Sequence, residues 1–368
     1  MTSAAEPSPN PPAPPPPGKG RRAYTSGSEE LDARLRELVA GLDTTDPELL
    51  FEILATATRL AGGSVSRLDR KIANSALKEM RYAFSVFGAY QGIRKVTIFG
   101  SARVAKGQEE YDYAVEFARQ IVEGGWMVVT GAGPGIMEAG HEGAGRARSF
   151  GVGIRLPFEA KANPVIAGDP KLMNFKYFFT RKLMFIKEAD AFVLLPGGFG
   201  TLDEAFELLT LVQTGKSDMH PIVLLEPPGS TYWESFNRYV REELLDRGYI
   251  DRDDLSLYYC TQSVEEAVAE IETFYRVYHS QRYVRDRLVI RLTALPTEES
   301  LAALSEEFAD LLRKPIVVVG ASPGEIADND VPELPRIALE PTRHRAGRMR
   351  QLIDRLNELP TGQDAAPG

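Results

Sequence analysis

Apolar positions recur at three- and four-residue spacing in three stretches, 29–42, 47–60 and 68–87, and this rhythm predicts three amphipathic helices. From residue 96 the pattern changes to short apolar runs separated by longer helical stretches. The runs at 96–100, 126–130, 151–156, 191–195 and 222–225 predict strands, and the stretches 108–123, 135–148, 176–188 and 201–214 predict the helices between them. Strand and helix in strict alternation predict a doubly wound parallel α/β sheet with helices on both faces. Two further helices are predicted at 232–246 and 264–278. The latter places Val264, Ala267, Val268, Ile271, Phe274, Tyr275 and Tyr278 on one face. Beyond residue 284 strands are expected at 287–293, 315–320 and 337–340, with helices at 300–312 and 345–359.

These patterns divide the chain into a proline-rich tail (1–24), an N-terminal helical extension (25–90), a nucleotide-binding core (91–283), a small α/β module (284–360) and a short C-terminal tail (361–368). The first 18 residues hold eight prolines and lack the basic and apolar regions of a signal peptide. No run approaches the roughly 20 apolar residues needed to cross a bilayer. The 43 basic and 52 acidic residues leave a formal charge of −9, which argues against a nucleic-acid polymer or a membrane surface as partner. A single cysteine, Cys260, allows no internal disulfide. The four histidines, His141, His220, His279 and His344, have no metal-ligand spacing. The expectation is a cytoplasmic protein without metal or cofactor.

The stretch with the most chemistry is Pro196-Gly197-Gly198-Phe199-Gly200-Thr201-Leu202-Asp203-Glu204, which joins a strand to a helix. Its glycines allow positive φ and close approach of the backbone to a ligand. The first helical N–H groups and the Thr201 hydroxyl would face an anion such as a phosphate. Glu204, one turn inside that anion site, would repel the ligand unless it had a task of its own, and this misfit points to catalysis. Gly100-Ser101-Ala102-Arg103 follows the first strand and Gly131-Ala132-Gly133-Pro134-Gly135 the second, where ligands of open parallel sheets bind. Ser101 could equally be a turn residue, and Arg103 a surface charge. The second loop misses the dinucleotide fingerprint by one position. The next strand ends at Arg155-Leu156-Pro157 without the acid that holds a ribose, so a nicotinamide cofactor is not expected. Arg181 and Lys182 sit among aromatics ahead of the glycine turn, and either could pair with an acid instead of a ligand. Met137 and Met184 are expected as core filler.

Taken together, Gly100-Ser101, the loop from Gly131 to Met137, the Arg181-Lys182 pair and the run from Pro196 to Glu204 resemble the Lonely Guy family. These are Rossmann-like proteins that include the cytokinin riboside 5′-monophosphate phosphoribohydrolases. The resemblance covers Val96 to about Phe274 and implies hydrolysis of nucleoside 5′-monophosphates, with AMP or a cytokinin-type modified AMP favoured, to free base and ribose 5-phosphate. It implies that Arg181 and Glu204 are the catalytic pair, that Gly197, Gly198, Gly200 and Thr201 hold the phosphate, and that Ser101, Gly133 and Lys182 contribute to substrate binding. It further implies a homo-oligomer, dimeric or larger. The family has also been labelled lysine decarboxylase, but the chain offers nothing for pyridoxal phosphate beyond a phosphate cradle. The alternative is a non-catalytic nucleotide or cofactor carrier on the same scaffold.

Overall fold

A computed structural model of the chain describes residues 24–62, 64–155, 162–284, 287–342 and 345–361. The proline-rich tail up to residue 23, Leu156, Pro157, His344 and the C-terminal tail after Thr361 lie outside the described residues. The described residues form two compact units, divided between Ser75 and Ala76.

The first unit holds α1 (Glu29–Ala40), α2 (Pro47–Arg59) and the start of α3 (Arg67–Gly88). Ser28 caps α1 by accepting the Leu31 N–H, and Asp46 caps α2 by accepting that of Leu49, with Pro47 preset for the first helical turn. Val39, Phe51 and Ala55 form a small apolar cluster with Tyr24 and Leu35 packed against it.

The second unit is built on a parallel sheet. In chain order its elements are β1 (Lys95–Phe99), α4 (Glu109–Glu123), β2 (Met127–Thr130), α5 (Ile136–Ala144), β3 (Ser149–Ile154), β4 (Leu172–Phe175), α6 (Phe178–Lys187), β5 (Ala191–Leu194), α7 (Phe199–Gln213), β6 (Ile222–Leu225), α8 (Tyr232–Tyr239), β7 (Tyr259–Thr261) and α9 (Val264–Phe274). The strand order is β4-β3-β2-β1-β5-β6-β7, with every neighbouring pair parallel. Alternate residues of each strand pack into two apolar layers. Val96, Ile98, Val128 and Val193 lie in one, with side chains of α4, α5 and α9. Val129, Phe192, Leu194 and Leu224 lie in the other. Burial on both faces is what makes these strands read as unbroken apolar runs. The chain winds outward from β1 to β4, returns to β5 beside β1, and winds the other way. The sheet therefore has its switch point between β1 and β5.

Two strands of this sheet lie outside the sequence expectation. β4 has four residues, as β2, β5 and β6 do, but its apolar run is interrupted by the exposed Asn174, and β7 has only three residues, two of them exposed.

The chain continues with β8 (Tyr278–Val284), β9 (Arg287–Leu292), α10 (Glu298–Glu307), β10 (Val317–Val319), α11 (Pro323–Ala327), β11 (Arg336–Leu339) and α12 (Ala346–Glu358). Its antiparallel sheet has the order β10-β11-β9-β8. This sheet begins at Tyr278, where helical spacing carries the expected helix onward. α9 stops at Phe274, and Tyr278 is buried from a strand instead, so its place in the helical rhythm is coincidental. Leu288, Ile290, Ile337, Leu352 and Leu356 share one apolar cluster with the large sheet. Asn357 ties the two parts together: its fully buried side chain accepts the Val277 and Tyr278 N–H groups at 2.8 and 2.9 Å and donates to the Phe274 carbonyl at 2.6 Å. Asn357→Leu leaves three buried backbone groups unpaired and is expected to cost about 2–4 kcal/mol, measured as a lowered midpoint of urea unfolding.

Candidate active site

The loops that leave β1 and β5 lie side by side at the switch point. The Ser101 N–H donates to the Pro196 carbonyl at 3.1 Å, and the Ser101 carbonyl accepts the Ile136 N–H at 3.1 Å, so one residue links the loops after β1 and β5 to the start of α5. The Ser101 hydroxyl accepts the Arg103 N–H at 3.1 Å. A cavity of about 750 Å³ opens there, walled by Ser101, Arg103, the segment from Gly197 to Glu204, Arg181, Phe178 and Tyr232.

α7 starts at Phe199, two residues before the expected Thr201. The Thr201 and Leu202 N–H groups both turn back to the Gly198 carbonyl at 3.1 Å. Phe199, Gly200, Thr201 and Leu202, the first turn of the helix, line the cavity. The expected positive φ does not occur among these glycines. Gly198 has φ −89°, and the left-handed residues sit in the loop after β2, at Ala132 (φ 62°) and Gly135 (φ 69°). What Gly197 supplies is room: a Cβ there would stand 2.1 Å from the Thr201 Oγ1 and 3.0 Å from the Ser101 N. The Gly197 carbonyl accepts the Tyr232 hydroxyl at 2.6 Å. A Cβ on Gly198 or Gly200 would meet no atom within 4 Å.

Arg181 enters from α6. Its Nε donates to the Val152 carbonyl at 3.0 Å, and its guanidinium lies over the Phe185 ring. A Cβ at Gly131 would sit 2.6 Å from Arg181 Nη2, so a glycine is needed there for the guanidinium to reach the cavity. Glu204 projects from the second turn of α7 and is only 7% exposed. Burial pushes its pKa up to about 7, against the opposing pull of Lys182 and then Arg181. Lys182 is not among the described residues that line the cavity. It lies beside the carboxylate, 2.6 Å from Glu207, 2.9 Å from Asp203 and 3.9 Å from Glu204. Of its two sequence readings the structure displays the ion pair.

Gly133 lines a second hollow of about 490 Å³ that shares Arg103, Gly131, Met137, Phe178 and Arg181 with the first. Met137 is thus a wall residue, while Met184 is core. The loop after β2 is held by Asn163, which no sequence motif marks. The Asn163 N–H donates to the Ala132 carbonyl at 2.9 Å, and its Nδ2 donates to the Gly133 carbonyl and to His141 Nδ1, each at 3.1 Å. The buried His141 faces the Phe150 carbonyl through Nε2 at 2.9 Å, and burial lowers its pKa, so it is a neutral brace for the loop. Among the described residues no group of three or more His, Cys, Asp or Glu side chains could hold a metal ion, and no helix is long and apolar enough to cross a membrane.

Residues 137–271 match the family profile described as "Possible lysine decarboxylase". That segment contains Arg181, Lys182 and the whole run from Pro196 to Glu204. The cytokinin riboside 5′-monophosphate phosphoribohydrolase LOG of Oryza sativa subsp. japonica is 29% identical over 187 residues, covering 49% of this chain and 74% of that protein. The chain carries a Lonely Guy family domain. The cytokinin riboside 5′-monophosphate phosphoribohydrolase LOG3 of Arabidopsis thaliana is 26% identical over 186 residues, covering 49% of this chain and 83% of that protein. Among solved structures, a structural-genomics target is 26% identical with a TM-score of 0.36, covering 49% of this chain and 99% of its own. The molybdenum cofactor carrier protein of Chlamydomonas reinhardtii is 20% identical with a TM-score of 0.34, covering 49% and 96%.

Proposed function

We propose that this protein hydrolyses the N-glycosidic bond of a nucleoside 5′-monophosphate, AMP or a cytokinin-type modified AMP, to free base and ribose 5-phosphate. The observation that carries this reading is the meeting of Arg181 and the buried Glu204 in one cavity wall with the glycine turn and helix N-terminus of an anion cradle. The 5′-phosphate is taken by the N-terminus of α7 and the Thr201 hydroxyl, with Ser101 and the Gly197, Gly198 and Gly200 backbone around it. This remote binding holds the anomeric carbon near the reacting groups. As the bond to the base breaks, its electron pair leaves with the base and positive charge grows on the ribosyl carbon. The Glu204 carboxylate stabilises that charge and takes a proton from the water that attacks the carbon, and the departing base takes up a proton in turn, so that one water is divided between the two products. Arg181 orients the phosphate or the carboxylate and favours the ionised form of Glu204. Lys182 supports the same ionisation from behind.

The same reading takes the protein to be cytoplasmic and a homo-oligomer of two or more chains, the latter checked by light scattering. A carrier that binds a nucleotide or cofactor without turnover would use the same cradle, but it gives Glu204 no task. Incubation with a panel of nucleoside 5′-monophosphates decides between the two. Ribose 5-phosphate and free base in equal amounts support the hydrolase and identify its base. Tight binding without release of either product supports the carrier.

A further inference from the structure

α6 has an incomplete start. Its N-cap residue, Tyr177, gives no side-chain acceptor to the first turn, although that turn carries the cavity-wall residue Phe178 and leads directly into Arg181. A first turn without a side-chain cap favours fraying unless another part of the chain ties it down. The tie comes from α3, through Lys176, the residue before the N-cap, and through the Thr180 side chain in the first turn. Glu79 accepts the Lys176 N–H at 3.0 Å through Oε1 and the Thr180 hydroxyl at 2.7 Å through Oε2. Thr180 is fully buried and immediately precedes Arg181. A carboxylate at this end of a helix is also favoured by the helix dipole. This half of α3 is itself anchored: Phe87 stacks on Phe150 with ring centroids 4.6 Å apart, and the Lys187 ammonium lies over the Phe84 ring.

We infer that Glu79 is a positioning residue for Arg181, tethering the start of α6 from a neighbouring helix and so fixing the guanidinium in its slot between Gly131 and the Val152 carbonyl. Glu79 precedes the segment that matches the family profile, so sequence outside that segment sets the geometry of the site within it. The catalytic consequence rests on the phosphoribohydrolase reading. Glu204 is faced by Arg181 and Lys182 from α6 and by Asp203 and Glu207 from its own helix. If the first turn of α6 loosens, one of the two cations withdraws, and Glu204 ionises only at higher pH.

The test uses the full chain as wild type, Glu79→Ala, Glu79→Gln and Thr180→Val, the last removing one of the two bonds from the α6 side should Glu79→Ala fail to fold. Amide hydrogen exchange at residues 176–182 is expected to rise about tenfold in Glu79→Ala, with the strands of the sheet unchanged. AMP binding and kcat fall with it, and the acidic limb of the rate profile moves to higher pH. Glu79→Gln keeps one acceptor oxygen and recovers part of each effect. Unchanged exchange in that turn overturns the inference, as does faster exchange with wild-type AMP affinity, kcat and acidic limb. A wild type that releases no ribose 5-phosphate defeats the phosphoribohydrolase reading alone. Exchange and AMP affinity then still decide the role of Glu79, faster exchange with weakened binding supporting it and wild-type values of either overturning it.

Discussion

Glu204→Gln lowers the turnover of nucleoside 5′-monophosphates by a factor on the order of 10² to 10⁴ and leaves their affinity within a few-fold of wild type. Glutamine keeps the shape of a side chain that is packed beneath the cradle, so the pocket survives. What is lost is the group that takes the proton from water, and that loss is felt in the transition state. The pH dependence follows from the same burial. The Glu204 carboxyl has its pKa raised to about 7, first by burial, with Lys182 and Arg181 pulling it down. A carboxylate acts as a base only when ionised, so kcat/KM rises as the pH climbs through about 7 and falls away on the acid side. Lys182→Met removes an ammonium 3.9 Å from the carboxylate and releases Asp203 and Glu207 as uncompensated negative neighbours. Both changes disfavour ionisation, and the acidic limb moves up. Profiles of kcat/KM against pH for wild type and Lys182→Met measure this. A limb that stays in place would separate Glu204 from the rate, and wild-type turnover in Glu204→Gln would remove it from the reaction.

The parts of this molecule that are legible in the sequence are those that local pattern encodes. β1, β2, β3, β5 and β6 are apolar runs because both faces of a parallel sheet are covered, and the glycine-rich turns mark where each strand hands over to a helix. The order of those motifs along the chain already places the loops of Ser101 and Gly197 at strand ends. That the two loops touch depends on β5 returning beside β1, a tertiary fact. The glycine turn is legible as a strand-to-helix junction, and it lines the cavity, but the reason for its glycines is not legible. Positive φ is a property of one residue, whereas the near-collision of Gly197 with Thr201 and Ser101 belongs to three segments at once. Lys182 shows the same limit from another side: its three acidic neighbours lie on α7, and helical spacing on α6 says nothing of them. Tyr232, Asn163 and Glu79 act across separations of 35, 30 and 101 residues on Gly197, Gly133 and Thr180. No period within a single element records such contacts.

Gly197→Ala is expected to weaken binding of nucleoside monophosphates and of ribose 5-phosphate by a factor on the order of 10² to 10³. The methyl group it adds would stand 2.1 Å from the Thr201 Oγ1, 2.7 Å from the Thr201 Cβ and 3.0 Å from the Ser101 N. None of these is the loose end of a long side chain. Relief must come from moving the first turn of α7 or from parting the loops after β1 and β5, whose 3.1 Å bond from Ser101 to the Pro196 carbonyl holds them together. Either movement takes the Thr201 hydroxyl and the helical N–H groups away from the phosphate. Hydrogen bonds to a charged group are worth about 1.5–3 kcal/mol each, and about 1.4 kcal/mol is tenfold in affinity, so loss of two toward the lower end of that range accounts for the expected drop. Gly198→Ala provides the contrast, since its added methyl meets no atom of the protein within 4 Å. Its melting temperature should match wild type, and any loss of ribose 5-phosphate affinity then measures how closely the ligand itself approaches residue 198. Gly197→Ala lowers both the melting temperature and the affinity. Calorimetric titration of the two variants with ribose 5-phosphate separates a cradle shaped by the protein from one shaped around the ligand, and wild-type affinity in Gly197→Ala would take the phosphate away from this turn.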